Sequence, residues 1–273
     1  MQIERKTCIS GDGVSIVYSA CGAGAPALIF IHGGLSDRTF WDAQLRAFGS
    51  RQRVIALDLA GHGESGSNRT KWGIPEFGAD VTAVADAENL NGIILFGNSL
   101  GGPAAVEAAL RMPGRVLGVV GVDTLHNLEH RMTPEGARER AEAFRADYGG
   151  SLKQMVKMLF HSDADPAIVA EGERRMQKCS PATAYAMFLG LADYDVASPV
   201  GRLMVPLRAI NGDLFPTDVT GVRKTKPDFH VIIMKHMGHY PMLERPDEFN
   251  QHIDAVIADL TKKVTSAQEG VPT

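Results

Sequence analysis

One serine of this chain lies in a setting that can make it a nucleophile. An apolar run, residues 93–96, leads directly into the segment GNSLGG, in which Ser99 is the third residue and small residues follow. A sharp turn that lifts a serine hydroxyl needs glycine two residues to either side, because larger side chains would collide there. A helix that begins at the turn directs its backbone N–H groups toward the hydroxyl, where they can stabilise negative charge. We therefore expect Ser99 to be a nucleophile.

Strand-like and helix-like segments alternate around this turn. The predicted strands are short, apolar and rich in β-branched residues: 14–19, 27–31, 54–57, 93–96, 116–122, 207–210 and 231–234. Several are apolar at consecutive positions, as in parallel strands that are buried on both faces. Helical stretches such as 76–90 and 101–111 lie between them. The pattern predicts an α/β fold with a mostly parallel central sheet flanked by helices.

The alternation is interrupted once, between about residues 126 and 199. Helical patterns without strands are found there, at residues 134–148, 152–160, 166–179 and 181–191. We expect a core domain of residues 1–124 and 200–263, a helical lid of residues 125–199 above the carboxyl ends of the strands, and a flexible polar tail of residues 264–273. The apolar lid side chains can either form a pliable pocket wall or pack the lid helices together: Met132, Met155, Met158, Leu159, Phe160, Met176, Met187, Phe188 and Leu189.

Two further turns resemble those of the α/β-hydrolase family. The strand at 27–31 runs into His32-Gly33-Gly34, which resembles the HG turn of that fold. Residues 58–65, DLAGHGES, look like the D-x-x-G-H-G-x-S turn of many of its lipases and esterases, where the role is mainly structural. Together with the serine turn and the late histidine, the resemblance extends from about residue 12 to residue 260. It implies an oxyanion hole formed by the backbone N–H groups of Gly34 and Leu100.

The same resemblance selects the general base. His239 stands in the segment MGHY after the last predicted strand, which is similar to the G-H segment that delivers the base in this family. A neutral imidazole suits the task, because its unperturbed pKa of about 6.5 lies near working pH. His236 lacks the preceding glycine and is interpreted as structural, as is His32 in its turn.

The acid of the triad is where the sequence departs from the family pattern. The family usually places it in a G-x-x-D segment after the next-to-last strand, and here that position holds Phe215. Asp213 is the nearest carboxylate and is the preferred candidate. Asp123, at the end of the preceding strand, is the alternative, and Asp218 is a third. The acid holds the imidazole in its useful tautomer and stabilises the imidazolium.

Composition and charge limit the kinds of partner and cofactor that we expect. The 273 residues carry a formal net charge of −4, which gives no reason to expect nucleic acid or an anionic membrane. Three scattered cysteines, Cys8, Cys21 and Cys179, form neither a disulfide framework nor a zinc motif. The chain shows no signal peptide at its start and no apolar run near the roughly 18 residues of a membrane span. We expect a cytoplasmic enzyme without metal or organic cofactor, and its oligomeric state stays open.

A serine nucleophile implies an acyl-enzyme that water resolves. The leading hypothesis is a carboxylesterase that acts on small to medium esters or lactones. One alternative is a carbon–carbon bond hydrolase of meta-cleavage products, which has Asn before the serine as here, although Tyr240 stands where those enzymes have tryptophan. Others are a cofactor-free perhydrolase or haloperoxidase and, outside catalysis, a ligand receptor of the same fold.

Overall fold

A single eight-stranded sheet forms the centre of the computed structural model, which describes the backbone of residues 2–268 and the side chains of residues 2–262. The strands are β1 (Glu4–Ile9), β2 (Ser15–Cys21), β3 (Ala27–Ile31), β4 (Val54–Leu57), β5 (Ile93–Asn98), β6 (Val116–Val122), β7 (Leu207–Gly212) and β8 (His230–Met234). Their order is β1-β2-β4-β3-β5-β6-β7-β8. Only the pairs that involve β2 are antiparallel. The predicted α/β fold with a mostly parallel sheet is confirmed.

The strand absent from the sequence prediction is β1. Its residues are mostly exposed, and polar side chains occupy its first four positions, so it lacks the apolar run that marks the other strands. An edge strand that pairs on one side with β2 needs no such run, because water covers its other edge. By contrast β3, β4 and β5 are buried throughout.

Helices surround the sheet. They are α1 (Asp42–Phe48), α2 (Ile74–Ala87), α3 (Gly101–Arg111), α4 (Pro134–Ala146), α5 (Tyr148–Leu159), α6 (Pro166–Met176), α7 (Pro181–Gly190), α8 (Ala197–Gly201), α9 (Val219–Thr225), α10 (Pro241–Glu244) and α11 (Pro246–Gln268). Helix α2 packs on α3, and α1 packs on α11. None of the helices in the described part of the chain is both long and apolar enough to cross a membrane.

Helices α4 to α8 follow β6 and precede β7, where a helical lid was predicted. The helix predicted at 134–148 ends at Ala146, and the helix predicted at 152–160 begins earlier, at Tyr148. Asp147 ends α4 and caps α5, since its side chain accepts a hydrogen bond from Gly150 N at 2.9 Å. Helix α8 includes residues 197–201 and so crosses the predicted boundary between lid and core at residue 199. Helix α11 extends to Gln268, into the predicted flexible tail, and residues 269–273 of that tail lie outside the described residues.

Stacked aromatic rings hold the two central strands that lead to the predicted site. Phe30 of β3 and Phe96 of β5 are register partners, and their ring centroids lie 5.0 Å apart. Trp41 packs against the same pair, and the centroid of its ring lies 5.0 Å from that of Phe30. All three side chains are fully buried. The ends of β3 and β5, where the HG turn and the serine turn begin, are therefore fixed to each other by large buried surfaces.

The turn after β4 is organised by one buried carboxylate. Asp58 accepts hydrogen bonds from the backbone N of Arg38 at 2.7 Å and of Glu64 at 2.9 Å, and it pairs with the Arg38 guanidinium. Arg38 also pairs with Glu64. The Asp58 side chain is fully buried, whereas the Glu64 side chain is 50% exposed. Asp58 thus connects the turn after β4 to the segment that follows the HG turn, as expected of a structural motif.

These two partners of Arg38 give a matched test of stability. We expect Asp58→Ala to lower the free energy of unfolding by about 3–5 kcal/mol, because it leaves a mostly buried cation and two backbone donors without their acceptor. Glu64→Ala removes an exposed partner of the same cation and should cost less than about 1 kcal/mol. Urea denaturation of both variants measures the difference. Equal losses would contradict the structural role given to Asp58.

Candidate active site

Ser99 occupies a strained turn between β5 and α3. Its φ is +51°, a left-handed conformation that non-glycine residues adopt at a cost. A Cβ at Gly97 would lie 2.0 Å from the carbonyl oxygen of Gly101, and one at Gly101 would lie 2.5 Å from the carbonyl oxygen of Ile31. Both glycines are therefore required by close backbone approach, as the sequence pattern predicted. The strain is retained where the neighbours determine the backbone, which is typical of functional sites.

Asn98, the residue before the serine, connects this turn to the loop that carries His239. Its Nδ2 donates to the carbonyl oxygens of Val122 and His239, at 2.9 Å each. Thr124 Oγ1 donates to the carbonyl oxygen of Ser99 at 2.8 Å. The ends of β5 and β6 and the histidine loop are thus joined by hydrogen bonds around Ser99, which hold the backbones of Ser99 and His239 in one region of the protein.

The carboxylate that contacts His239 is Asp123. The distance from His239 Nδ1 to Asp123 Oδ2 is 2.5 Å, and the Asp123 side chain is fully buried. Asp123 directly follows β6, with a φ of +44°. Because β6 lies beside β5 in the sheet, its end places a carboxylate next to the serine turn. Asp123 was the alternative acid in the sequence analysis.

The preferred candidate, Asp213, has another position, so that expectation is corrected. Asp213 is an exposed residue whose Oδ1 accepts a hydrogen bond from Met237 N at 3.1 Å, and this bond lowers the pKa of its carboxyl. It supports the loop before His239 without contacting the imidazole. The third candidate, Asp218, caps α9 by accepting from Gly221 N at 2.8 Å. Phe215 lies edge-on to the His239 ring, with centroids 6.1 Å apart, and so packs against the base.

The end of β7 supports Asp123. Gly212 N donates to Asp123 Oδ1 at 2.8 Å, and a second imidazole, His126 Nε2, lies 3.6 Å from the same oxygen. Asn211 Nδ2 donates to the carbonyl oxygen of Thr124 at 3.2 Å and lies 3.2 Å from His126 Nδ1. His126 Nδ1 also lies 3.0 Å from Thr217 Oγ1, which accepts a hydrogen bond from Asn211 Nδ2 at 3.0 Å.

These contacts set the charge of Asp123. Burial alone would raise the pKa of its carboxyl, but the contacts with His126 and His239 outweigh it and hold the pKa well below its ordinary value. Asp123 is therefore ionised at neutral pH. An ionised acceptor at 2.5 Å keeps the proton of a neutral His239 on Nδ1, which leaves the lone pair of Nε2 free to accept a proton.

The two backbone N–H groups that the sequence analysis assigned to an oxyanion hole lie next to the serine turn. Leu100 follows Ser99 at the start of α3, and Gly34 lies in the HG turn, where a Cβ on the neighbouring Gly33 would lie 3.0 Å from Ser99 Cβ. Within residues 2–268, neither the N–H of Gly34 nor that of Leu100 donates a hydrogen bond to a protein acceptor. Met187 of α7 covers the turn, since a Cβ on Gly34 would lie 3.0 Å from its Sδ.

The loop around His239 is held by contacts that the sequence analysis did not predict. His239 N donates to the carbonyl oxygen of Leu159, at the end of α5, at 2.7 Å. Glu244 accepts from Gly238 N at 3.3 Å and from Tyr240 N at 3.2 Å, on both sides of the histidine. Tyr240 and Glu244 are four residues apart, about one helical turn, so their contact could have been predicted from the sequence. Leu159 had no comparable signal, since its partner is 80 residues away in the chain.

The other two histidines discussed from the sequence lie outside the triad. His32 is fully buried: its Nε2 accepts from Leu59 N at 3.0 Å, and its Nδ1 lies 2.7 Å from the carbonyl oxygen of Gly33. Burial lowers the pKa of His32, which keeps it neutral. His236 has a side chain that is 75% exposed and lies against Asp163. Their structural interpretation agrees with these positions.

Known proteins share this architecture. The sequence model of the Alpha/beta hydrolase family matches residues 28–252. The chain is 25% identical over 270 residues to 3-oxoadipate enol-lactonase 2 from Acinetobacter baylyi, which covers 92% of this chain and 96% of that enzyme. A solved thermophilic esterase from Thermogutta terrifontis matches with a TM-score of 0.83 and 23% identity, over 95% of this chain and 99% of that chain. At that identity the structural likeness shows the fold.

Other relatives match over a part of their length. The chain spans 52% of a Mycobacterium phage D29 protein, at 33% identity over 145 residues. It spans 41% of the dihydrolipoyllysine-residue acetyltransferase component of the acetoin cleaving system of Cupriavidus necator, at 30% identity over 164 residues. These partial matches concern the domain and not the activity of either whole protein.

The strand order, the strained serine turn and the histidine after the last strand together define a protein of the α/β-hydrolase fold. Since the family model covers most of the sequence, the chain belongs to the Alpha/beta hydrolase family.

The close approach at the serine turn gives a sharp test. We expect Gly97→Ala to destabilise the protein by about 1–3 kcal/mol or more, because its Cβ would overlap a backbone carbonyl that cannot move without shifting α3. Gly11→Ala is the matched control: a Cβ there meets nothing within 4 Å, so the change should stay within about 0.5 kcal/mol. Urea denaturation of both variants reports the result. A fully stable Gly97→Ala protein would mean that the turn is not as tight as described.

Proposed function

We propose that this chain is a serine hydrolase that cleaves carboxylic esters or lactones, with Ser99 as nucleophile, His239 as general base and Asp123 as the acid. The observation that carries the proposal is the 2.5 Å hydrogen bond between His239 Nδ1 and Asp123 Oδ2, which joins residues 116 positions apart in the chain. Such a bond has a direct chemical use, because it orients the imidazole and stabilises the imidazolium that forms during reaction.

In the proposed reaction the serine first becomes acylated. Ser99 Oγ attacks the carbonyl carbon of the ester while its proton passes to His239 Nε2. The carbonyl oxygen becomes an oxyanion, which the N–H groups of Gly34 and Leu100 bind. The carbon–oxygen bond of the ester then breaks, and the imidazolium gives its proton to the departing alkoxide. The products of this stage are an alcohol and an acyl group on Ser99.

Water completes the reaction by the same route. His239 takes a proton from a water molecule, whose oxygen attacks the acyl carbon; the bond from that carbon to Ser99 Oγ then breaks, the imidazolium returns the proton to Oγ, and the carboxylic acid leaves. With a lactone, the alcohol stays attached to the acyl chain, so that a single hydroxy acid leaves. Donors that are fixed before reaction suit both stages, since they need no reorganisation when charge develops. No step calls for a metal or an organic cofactor.

Two observations support a small substrate. Met187 of the lid lies directly over the Gly34 turn, which narrows the space next to the proposed oxyanion hole. Other large lid side chains pack inside the protein: the ring centroids of Phe160 and Tyr240 lie 5.1 Å apart, and those of Phe188 and Phe144 lie 5.0 Å apart. The lid therefore contributes a methionine wall of limited size, and most of its apolar residues serve its own core.

Reaction with an activated phosphonate tests the nucleophile. We expect a fluorophosphonate to label one residue, Ser99, and Ser99→Ala to remove the labelling and lower kcat for p-nitrophenyl esters on the order of 10⁶-fold, because the triad acts as a unit. The exposed Ser67 is the control, and Ser67→Ala should keep both properties. Short acyl esters should be cleaved faster than long ones. Labelling or ester cleavage that survives in a folded Ser99→Ala protein would overturn the proposal.

The two candidate acids are separated by a pair of isosteric variants. Asp123→Asn should lower kcat by about 10⁴-fold, since an amide cannot hold the proton of His239 on Nδ1 in the same way. Asp213→Asn keeps an oxygen that can accept from Met237 N and should leave kcat close to that of the unchanged protein. Steady-state kinetics with one p-nitrophenyl ester give both values. A large loss in Asp213→Asn with none in Asp123→Asn would reverse the assignment.

A further inference from the structure

Two histidines and an aspartate meet at the edge of the lid, outside the proposed triad. His161 and Asp163 lie in the connection between α5 and α6, and His236 lies in the loop between β8 and His239. Asp163 Oδ2 is 3.6 Å from His161 Nδ1 and 3.4 Å from His236 Nδ1. One ligand atom from each of the three residues can be chosen so that all lie within 4.8 Å of one another.

These separations fit a transition-metal ion. With bonds of about 2.0–2.2 Å to imidazole nitrogen and carboxylate oxygen, a tetrahedral zinc ion holds its ligand atoms roughly 3.3–3.5 Å apart. Both distances from Asp163 Oδ2 are already close to this value. The two imidazole rings lie 5.6 Å apart between centroids, and the His236 side chain is 75% exposed, so it is free to turn toward His161. Two imidazoles and one carboxylate are a donor set that zinc accepts, with water in the fourth position.

The backbone of one ligand is already fixed. His236 has a φ of +52°, a left-handed conformation that is unfavourable for a non-glycine residue. Arg245 holds this strained segment, because its guanidinium donates to the carbonyl oxygens of Lys235 and His236. Arg245 also forms a salt bridge with Glu248, whose Oε2 lies 2.9 Å from Arg245 Nη1. The strained loop thus presents the His236 side chain outward, toward Asp163.

Binding would exchange one existing contact. Asp163 N donates to His161 Nδ1 at 3.1 Å, so an ion at that nitrogen replaces a hydrogen bond in an exposed loop. Such a bond contributes little, because both groups can bond to water instead, whereas ligation of a metal ion by two neutral imidazoles and a carboxylate is far stronger.

We propose that His161, Asp163 and His236 form a zinc site that connects the lid to the loop of His239. The two parts are already joined by the hydrogen bond from His239 N to the carbonyl oxygen of Leu159, two residues before His161. A bound ion adds a second connection on the other side of the loop, three residues before the histidine. From the sequence we expect no metal cofactor for catalysis. The proposed zinc ion does not take part in the reaction, so it departs from that expectation only at this surface. The site does not depend on the proposed esterase activity.

Metal titration of protein without an affinity tag tests the site. We expect Zn²⁺ to bind in a 1:1 ratio by isothermal titration calorimetry and to raise the melting temperature. Co²⁺ in its place should give the visible absorption of a four-coordinate ion. His236→Ala and Asp163→Asn should each weaken Zn²⁺ binding by about 10–100-fold or more, because loss of a ligand costs at least as much as loss of its support. His230→Ala, which removes an exposed histidine of β8, should leave the binding unchanged.

All three variants change exposed or partly exposed positions, so circular dichroism should show folded protein in each. Ester cleavage without added metal should also be retained in His236→Ala and Asp163→Asn, which separates this proposal from the assignment of the triad. The proposal is overturned if Zn²⁺ fails to bind in a 1:1 ratio. It is equally overturned if His236→Ala and Asp163→Asn bind Zn²⁺ as tightly as His230→Ala does.

Discussion

The site depends on one buried hydrogen bond, that between His239 and Asp123. A charged carboxylate is stable at full burial only if its oxygens are occupied, and here Oδ2 contacts His239 while Oδ1 accepts from Gly212 N. The remaining architecture serves this pair. The sheet order places β6 between β5 and β7, so that the carboxylate, the serine turn and its backbone donor converge at one edge. Asn98 then fixes the histidine loop to the serine turn.

The end of β7 supports Asp123, the carboxylate that contacts His239. The resemblance to the family places the acid after this strand, and the chain has Phe215 at the expected position. Around it the strand end has become a support: Gly212 and Asn211 donate to the Asp123 carboxylate and to the carbonyl oxygen of Thr124. Phe215 itself packs between His126 and His239. An acid on the neighbouring strand can serve the same imidazole, since adjacent parallel strands end close together.

Local features of this protein could be predicted from the sequence, and long-range ones could not. Buried apolar strands such as β3 and β4 and the glycines around Ser99 follow from steric rules that act within a few residues. The acid could not be chosen, because Asp123 and Asp213 both follow apolar strands and their distances to His239 depend on loop paths. For the same reason the contacts of Met187 and Leu159, which were named only as apolar lid residues, and the cluster at His236 were not predicted: each involves residues far away in the chain. The edge strand β1 was missed since its side chains face water.

The most direct measurement of the central interaction is the protonation of His239 in the free protein. Nuclear magnetic resonance of protein with ¹⁵N-labelled histidine, at neutral pH, reports which ring nitrogen carries the proton, and a His239→Gln spectrum assigns the signal. We expect a far-downfield proton on Nδ1 of His239, protected from exchange with water by its bond to Asp123. A neutral His239 with its proton on Nε2, or an Nδ1 proton that exchanges freely with solvent, would contradict it.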